Sequence, residues 1–298
     1  MPVVQRAVIF SRRPASILLR LIQVLRAKHY EILMIVCCPG ANYRLAPTAI
    51  SSLGGLVGSI IDEAQDPPPV LCITKMSQVE SIYLALDPDR ALIWGFSYKI
   101  TQRLLSHRSR FVNFHPAPLP LMRGPMPFPR MVMDSTIPLT ATWHYMAEGV
   151  DQGPIIWEVE MTLPAGVSRG TMTTADIENA ATEACFSSIE SVLKLVEDGH
   201  AGVEQGPGGE MDSWAAGYMT DDERTIKDEM SLEEVLRLSR AVGATKPFVK
   251  FSGGLYHVLR MSRLEVEDAK PEGTQERMGL DIIQYFKDGA IRMTIRKI

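Results

Sequence analysis

The sequence predicts an α/β protein with a Rossmann-like, doubly wound parallel sheet, followed by a small β-rich C-terminal domain. Short apolar runs alternate with segments of helical periodicity along residues 1–204. These runs are apolar throughout, which is typical of strands that are covered by helices on both faces. The composition then changes, and residues 205–298 contain short strand-like runs separated by glycine-containing turns.

Five strands and three helices are predicted in the first 114 residues. The helix at 15–28 carries Ile17, Leu18 and Leu21 at helical spacing. The other elements alternate along the chain, with strands at 6–10, 31–38, 70–74, 90–96 and 109–114 and helices at 56–64 and 76–86. Sheets of this kind bind ligands beyond the carboxyl ends of their strands, so the residues after each strand are candidates for a site.

The remaining elements complete the larger domain and define the smaller one. Runs at 139–146 and 154–161 predict two strands joined by AEGVDQG, and 174–197 predicts a long helix ending before Gly199. QGPGGE, at 205–210, is the predicted linker. The capping-box signature SLEE then opens a helix at Ser231, and four strands are predicted at 247–251, 255–261, 281–286 and 290–295.

Composition and local motifs argue against several functions. The 298 residues carry a formal net charge of −4, without the basic field that is usual in proteins that bind phosphate backbones. Arg20 and Arg26 interrupt the longest apolar segment, so neither a membrane span nor an export signal is predicted. FSRRPAS follows the first strand where a dinucleotide site would have GxGxxG. The four cysteines lack metal spacing, so we expect reduced thiols, no metal centre and a cytoplasmic location.

The stretch FVNFHPAPLPLMRG carries the strongest chemical signal. Asn113 and His115 are separated by one residue, so on an extended chain their side chains point to the same face. An amide and an imidazole together suit the stabilisation of a tetrahedral oxyanion. Asp151, which has glycines two positions before and after it, supplies a carboxylate to orient the imidazole or take a proton. With no GxSxG for a serine nucleophile, these residues indicate acyl transfer without a covalent intermediate.

The pattern N-x-H-x-x-x-L-P-x-x-R-G-x-x-P, followed by T-x-x-x-M-x-x-G-x-D-x-G, resembles the formyltransferase family that uses 10-formyltetrahydrofolate. That family includes methionyl-tRNA, glycinamide ribonucleotide and sugar-nucleotide formyltransferases. The likeness is strongest over residues 90–160, and His115 precedes Asp151 by 36 positions, which looks like the family spacing. The C-terminal part resembles the family's small domain, which implies an OB-like barrel.

The resemblance implies a role for each matching residue. Asn113 would hold the formyl oxygen, His115 would stabilise the oxyanion as an acid, and Asp151 would tune His115 and relay protons. The donor 10-formyltetrahydrofolate would be bound by Ser97, Tyr98, Lys99 and Ile100, whose backbone would read the pterin edge, and by Gly149 and Asp151. Arg123 and Gly124 would bind the acceptor or position the loop.

The chain departs from the family pattern close to this site. The family serine is replaced at Ala117, which is followed by Pro118, and Met122 stands where an aromatic or basic residue is common. Pro129 lies in the helix that should follow and is expected to delay or kink it. The spacing reveals no partners for the remaining histidines, for which we expect structural or solvent roles: His29, His107, His144, His200 and His257.

The acceptor stays open at this stage. The favoured hypothesis is a primary amine or hydroxylamine on a small molecule, such as an aminosugar nucleotide or a hydroxyornithine-type compound. Methionyl-tRNA is the second candidate, because the two-domain plan is shared, but the charge balance argues against it. A formyltetrahydrofolate hydrolase and a catalytically silent folate-binding protein are the remaining alternatives. A homodimer is possible, and no membrane partner is expected.

Overall fold

The computed structural model describes residues 4–38, 47–207, 217–243, 246–265 and 270–298. Its helices are α1 (Ala15–Ala27), α2 (Pro47–Glu63), α3 (Ser77–Leu86), α4 (Gln102–Leu105), α5 (Pro127–Met133), α6 (Thr174–Glu197) and α7 (Leu232–Val242). Its strands are β1 (Gln5–Ser11), β2 (Tyr30–Cys37), β3 (Val70–Cys72), β4 (Arg90–Trp94), β5 (Arg110–His115), β6 (Thr140–Tyr145), β7 (Ile155–Glu160), β8 (Thr225–Ile226), β9 (Phe248–Phe251), β10 (Gly254–Leu264), β11 (Gln275–Met278), β12 (Asp281–Phe286) and β13 (Gly289–Lys297).

The chain divides into two compact units that are discontinuous in sequence. The first comprises Met1–Pro125, Leu139–Thr162 and Ala181–Ala215. The second comprises Met126–Pro138, Leu163–Ala180 and Ala216–Ile298. The domain boundary that the sequence predicts between residues 204 and 205 stays a prediction, and residues 208–210 of the predicted linker lie outside the described residues.

The first unit contains a seven-stranded sheet in the order β3-β2-β1-β4-β5-β6-β7. Strands β1 to β5 are parallel, whereas β6 is antiparallel to β5 and β7 is antiparallel to β6. The predicted α/β class and Rossmann-like alternation are confirmed. The apolar residues of β1 are fully buried, and α1 packs with a buried stripe that includes Leu18, Leu21 and Leu25. This arrangement brings the carboxyl ends of the parallel strands to one edge.

The second unit contains a six-stranded sheet in the order β11-β12-β13-β10-β9-β8. The side chain of Ser231 accepts a hydrogen bond from the backbone of Glu234, whose carboxylate accepts one from the Ser231 backbone, which confirms the predicted capping box. Helix α7 buries Val235 and Leu238 in an apolar core with Val258 and Met293. The β-rich prediction is confirmed, and within the described residues the sheet is open rather than closed into a barrel.

Two local predictions are refined by the structure. Pro129 does not delay or kink α5, because the helix begins at Pro127 and both prolines fall in its first turn, where no intrahelical N–H bond is required. The helix predicted at 56–64 extends from Pro47 to Glu63. Among the described residues, no helix has the length and apolar character needed to cross a membrane.

Candidate active site

Two adjacent strands place the amide and imidazole groups of the site. Strand β5 carries Asn113 and His115 on one face, and antiparallel pairing with β6 sets His144 opposite Asn113 and Thr142 opposite His115. The exposed fractions are 8% for Asn113, 5% for His115 and 0% for His144. The side chains of these four polar residues therefore lie on one face of the two paired strands, in a site from which most water is excluded.

The loop after β5 is fastened to this pair of strands by hydrogen bonds. The Thr142 hydroxyl donates to the carbonyl of Ala117 at 2.8 Å and accepts from the Leu119 N–H at 3.3 Å. His115 Nε2 lies 2.7 Å from the carbonyl oxygen of Met122. The prolines in this loop restrict its backbone further. His115 is therefore fixed by its place at the end of β5 and by its hydrogen bond to Met122 at the far end of the loop.

Asp151 reaches the same place from the turn between β6 and β7. One carboxylate oxygen, Oδ2, lies 3.5 Å from His115 Nδ1 and accepts from the Gly124 N–H at 3.0 Å. The other, Oδ1, lies 3.6 Å from His144 Nε2. Gly153 permits this turn, because a Cβ there would lie 1.9 Å from the carbonyl oxygen of Tyr145. Asp151 itself adopts a left-handed backbone with φ of 52°.

The charges of this cluster are set by competing effects. Burial lowers the pKa of His115 and His144 adds to this, while the nearby Asp151 carboxylate partly offsets it. Burial alone would raise the pKa of Asp151, but His115, His144 and the Gly124 N–H together hold the pKa of Asp151 well below its usual range. At neutral pH the site therefore holds an ionised Asp151 beside a neutral His115.

The hydrogen-bond geometry assigns the ring protons. A carbonyl oxygen can only accept, so the Nε2 of His115 carries the proton that faces Met122, which leaves Nδ1 as a lone pair facing Asp151. The Nδ1 of His144 faces the carbonyl of Tyr145 at 2.7 Å, so its Nε2 accepts from the Asn113 amide at 2.9 Å. The gap between His115 Nδ1 and Asp151 is thus a position where an additional proton is stabilised.

Asn113 keeps hydrogen-bonding capacity for a ligand. One N–H of its amide goes to His144, while the second N–H and the carbonyl oxygen have no other partner within the described residues. The free N–H is suited to a carbonyl oxygen, and the amide oxygen is suited to an amine. The orientation of this amide is fixed by His144, on the neighbouring strand.

His144 lies in the candidate site but was not among the residues that the sequence predicted for it. The spacing revealed no partner for His144, whereas the structure shows that it contacts both Asn113 and Asp151. The available signal was the antiparallel register: two predicted strands flanking the motif make a cross-strand pair of residues 113 and 144. The chain alternation alone did not reveal the direction of that pairing.

The predicted donor segment follows β4 at the same edge of the sheet. Phe96 packs edge-on against Phe10 in the core and against Tyr98, which anchors the loop. The backbone N–H and C=O groups of residues 98–100 form no hydrogen bonds with other described residues. A heterocycle with donors and acceptors along one edge fits such an open backbone, and the side chain of Ser97 accepts from Arg12 at 2.8 Å.

The other predicted residues lie in two neighbouring loops. Gly149 lies in the turn that carries Asp151, where a Cβ would collide with the side chain of Gln152. Gly124 contacts Asp151 through its backbone N–H. Arg123 donates from Nε and Nη2 to the side-chain oxygen of Gln205, at 3.0 and 2.9 Å. The structure thus brings the residues of the β5 loop and the Asp151 turn together.

Comparisons with known proteins agree with this geometry. Residues 74–185 match the family model described as formyl transferase. A methionyl-tRNA formyltransferase of Cutibacterium acnes is 28% identical over 189 residues, which cover 63% of this chain and 58% of that protein. The chain therefore spans somewhat more than half the length of this relative.

Solved structures show the same fold. HypX from Aquifex aeolicus, in complex with tetrahydrofolic acid, superposes with a TM-score of 0.67 at 17% identity, covering 99% of this chain and 44% of that chain. A sugar N-formyltransferase from a Shewanella species gives a TM-score of 0.59 at 16% identity, covering 90% of this chain and 100% of that chain. Residues 74–185, which include β5 and its loop, are therefore similar to the formyl transferase family, and the chain shares the fold of these solved structures.

Proposed function

We propose that the protein transfers a formyl group from 10-formyltetrahydrofolate to an amine of a small-molecule acceptor. The observation that carries the proposal is the buried cluster in which Asp151, held ionised, lies 3.5 Å from His115 beside an Asn113 amide with free hydrogen-bonding groups. Such a cluster suits charge that develops on a carbonyl oxygen during attack by an amine.

The donor assignment rests on the open backbone of residues 98–100 and on the match of residues 74–185 to the formyl transferase family. A pterin carries donors and acceptors along one edge, which unpaired backbone groups of a rigid loop are able to recognise. The HypX structure with tetrahydrofolic acid supports this class of ligand. In this proposal, Ser97 to Ile100 and Gly149 line the donor site.

The proposed reaction passes through one tetrahedral intermediate. The amine nitrogen attacks the formyl carbon, a C–N bond forms, and the carbonyl electrons move onto oxygen. The N–H of Asn113 and a protonated His115 stabilise that oxyanion, while Asp151 favours the protonated imidazole. When the oxyanion collapses, the bond to the folate nitrogen breaks and that nitrogen receives the proton lost by the amine, giving tetrahydrofolate and a formamide.

The charge distribution favours a small acceptor over tRNA. Phosphate contacts supply much of the affinity for tRNA, and they require unpaired basic side chains. In the second unit, several arginine and lysine side chains form ion pairs with acidic side chains: Arg130 with Glu223, Arg224 with Asp221, Lys227 with Asp222, Arg240 with Glu233 and Arg292 with Asp281. The net charge of −4 points the same way.

Methionyl-tRNA is the second candidate acceptor. The relative from Cutibacterium acnes is named as a methionyl-tRNA formyltransferase, which supports this alternative. A silent folate-binding protein is a third possibility, against which the geometry of Asn113, His115 and Asp151 argues. A homodimer remains a prediction from the sequence.

Product mass spectrometry tests the proposal and the acceptor class together. The protein is incubated with 10-formyltetrahydrofolate and separately with aminosugar nucleotides, hydroxyornithine and charged initiator methionyl-tRNA. We expect one small amine to gain a single formyl group, with the gain abolished in His115→Ala. A gain only on methionyl-tRNA would replace the favoured acceptor, whereas folate binding without transfer to any amine would support the silent protein.

A further inference from the structure

Gln205 joins the two loops that carry the site. Its side-chain NH₂ donates to the backbone carbonyls of Asp151 and Gly153, at 2.9 and 2.7 Å. Its side-chain oxygen accepts both hydrogen bonds from Arg123. The sequence suggested only a linker beginning at this position, yet all of the amide's polar atoms are used, and each partner lies in a loop that contacts the site.

The chain brings Gln205 to this position through backbone pairing. Val203 exchanges two hydrogen bonds with Ile155, the first residue of β7, at 2.8 and 2.7 Å. Gly202 makes the approach possible, because it has φ of 80° and a Cβ there would lie 2.7 Å from the Cβ of Pro154. Gln205 therefore extends from a segment that is registered against the strand leaving the Asp151 turn.

The hydrogen bonds of Gln205 act on a strained residue. Asp151 has a Cβ and a positive φ of 52°, a conformation that persists only where the surroundings hold it. Gln205 binds the carbonyl of Asp151 and that of Gly153, two residues further on. On the other side, Arg123 is adjacent to Gly124, whose N–H binds the Asp151 carboxylate. The backbone carbonyl of Asp151 is thus bonded to the Gln205 amide, and its carboxylate is bonded to the loop that carries Arg123 and Gly124.

We propose that Gln205 is a positioning residue for formyl transfer: by clamping the Arg123 loop to the Asp151 turn, it sets the Asp151 carboxylate at its distance from His115. The inference rests on the proposed function for its catalytic consequence. Gln205 itself touches none of the reacting groups, and its effect passes through Asp151. A displacement of about 1 Å in such a group is enough to cost about 10²-fold in rate.

Two substitutions separate the halves of the clamp. Gln205→Met keeps the length of the side chain and removes every hydrogen bond. Gln205→Glu keeps the acceptor for Arg123 but replaces the donors to Asp151 and Gly153 with carboxylate oxygens. Gln102→Met, an exposed side chain at the start of α4, is the matched control.

The first readout is steady-state kinetics with the acceptor found by mass spectrometry. We expect kcat to fall about 10–100-fold in Gln205→Met and Gln205→Glu, with the donor KM changed about twofold or less, because the clamp orients Asp151 and leaves residues 97–100 alone. The control should keep wild-type kcat. A rise in the donor KM as large as the fall in kcat, or an unchanged kcat in both variants, would overturn the proposal.

The second readout does not depend on turnover. Histidine-labelled protein is titrated by NMR, and His115 is assigned with His115→Gln. Since the Asp151 carboxylate raises the pKa of His115, moving it away should lower that pKa in Gln205→Met, in the same direction as we expect for Asp151→Asn. An unchanged His115 titration in a folded Gln205→Met protein would contradict the clamp. If wild type transfers no formyl group, the proposed function fails, and this titration still decides the positioning role.

Discussion

The neutral state of His115 at rest follows from a competition between two large effects. A unit charge pair at about 4 Å gains about 4 kcal/mol at the effective dielectric of a protein site. Removing an ion from water costs several kcal/mol, and here burial is the larger effect, so the pKa of His115 is lowered. Developing negative charge on a bound formyl oxygen would add to the attraction and favour proton uptake at Nδ1.

Replacing Asp151 by asparagine tests the contribution of that carboxylate. Asn keeps the volume and still accepts from the Gly124 N–H, but it removes the charge that favours a protonated His115. We expect kcat to fall about 10²–10⁴-fold at pH 7. Steady-state kinetics measure this, with exposed Asp198→Asn as the control. An active Asp151→Asn enzyme would remove Asp151 from the mechanism.

The two lowered pKa values also predict a loss of stability in acid. His115 binds a proton more weakly in the folded protein than in the unfolded protein, whose histidine pKa is about 6.5. The contribution of His115 to the free energy of unfolding is therefore fully present above pH 6.5 and decreases as the pH falls below that value. Asp151, also with a lowered pKa, adds a loss below about pH 4.

Urea unfolding at pH 7.5 and 5.5 measures the histidine contribution. We expect the free energy of unfolding to decrease at pH 5.5 in the wild type, and to decrease less in His115→Gln, because glutamine does not titrate. A wild-type stability that rises on acidification over this interval, with a flat His115→Gln profile, would show that His115 is protonated in the folded protein.

Sequence reasoning found the residues that are close together in the chain and missed those whose partners are distant. Asn113 and His115 share one strand, and Asp151 was identified from the glycines on either side of it and from the family pattern. His144 and Gln205 meet their partners across 31 and 54 positions, through a strand register and a backbone bridge. Neither residue type nor local spacing contains that information, because both contacts depend on how separate segments pair.

At the scale of elements, strand β6 carries His144 and also supports the loop that follows β5. The buried hydroxyl of Thr142 bonds to Ala117 and Leu119, so it fixes the loop where the family serine is replaced. This arrangement shows that the loop is held by a neighbouring strand and not by its own side chain at position 117. The departure from the family pattern therefore leaves the loop anchored.

Thr142→Val tests this anchor. Valine has nearly the same shape, but it leaves the carbonyl of Ala117 and the N–H of Leu119 without their partner in a buried place. We expect the free energy of unfolding to decrease by about 1–3 kcal/mol in urea. Thr140→Val, on the same strand and without a side-chain hydrogen bond to any described residue, should change it by about 0.5 kcal/mol or less. Equal effects in both variants would show that the hydroxyl of Thr142 does not anchor the loop.

The elements and the parallel part of the sheet were largely predictable, but the direction of β6 and β7 was not. The helix at 174–197 matches α6, because its apolar spacing is long and regular. The apolar runs identify β1, β2, β4 and β5. Whether a strand runs parallel or antiparallel is set by the connection and by packing, so the antiparallel β6 and β7 emerge only from the structure.

At the scale of the whole molecule, the charge balance separates the two acceptor classes. Binding of a polyanion releases counterions, so its affinity falls steeply with salt, whereas a small acceptor makes few such contacts. We expect the acceptor KM to change by about fivefold or less between 50 and 200 mM salt, compared with about 10³-fold or more for six phosphate contacts. Kinetics at several salt concentrations measure the slope, and a steep slope would favour tRNA.

The most direct test of the central claim is to follow the formyl carbon itself. The protein is given 10-formyltetrahydrofolate labelled with ¹³C in the formyl group, together with the amine panel, and the label is observed by ¹³C NMR. The account predicts that the resonance moves from the folate to a formamide in the wild type and stays on the folate in Asn113→Ala and His115→Ala. Transfer that persists in both variants, or a label that appears only as formate, would contradict a formyl-transfer site built from Asn113, His115 and Asp151.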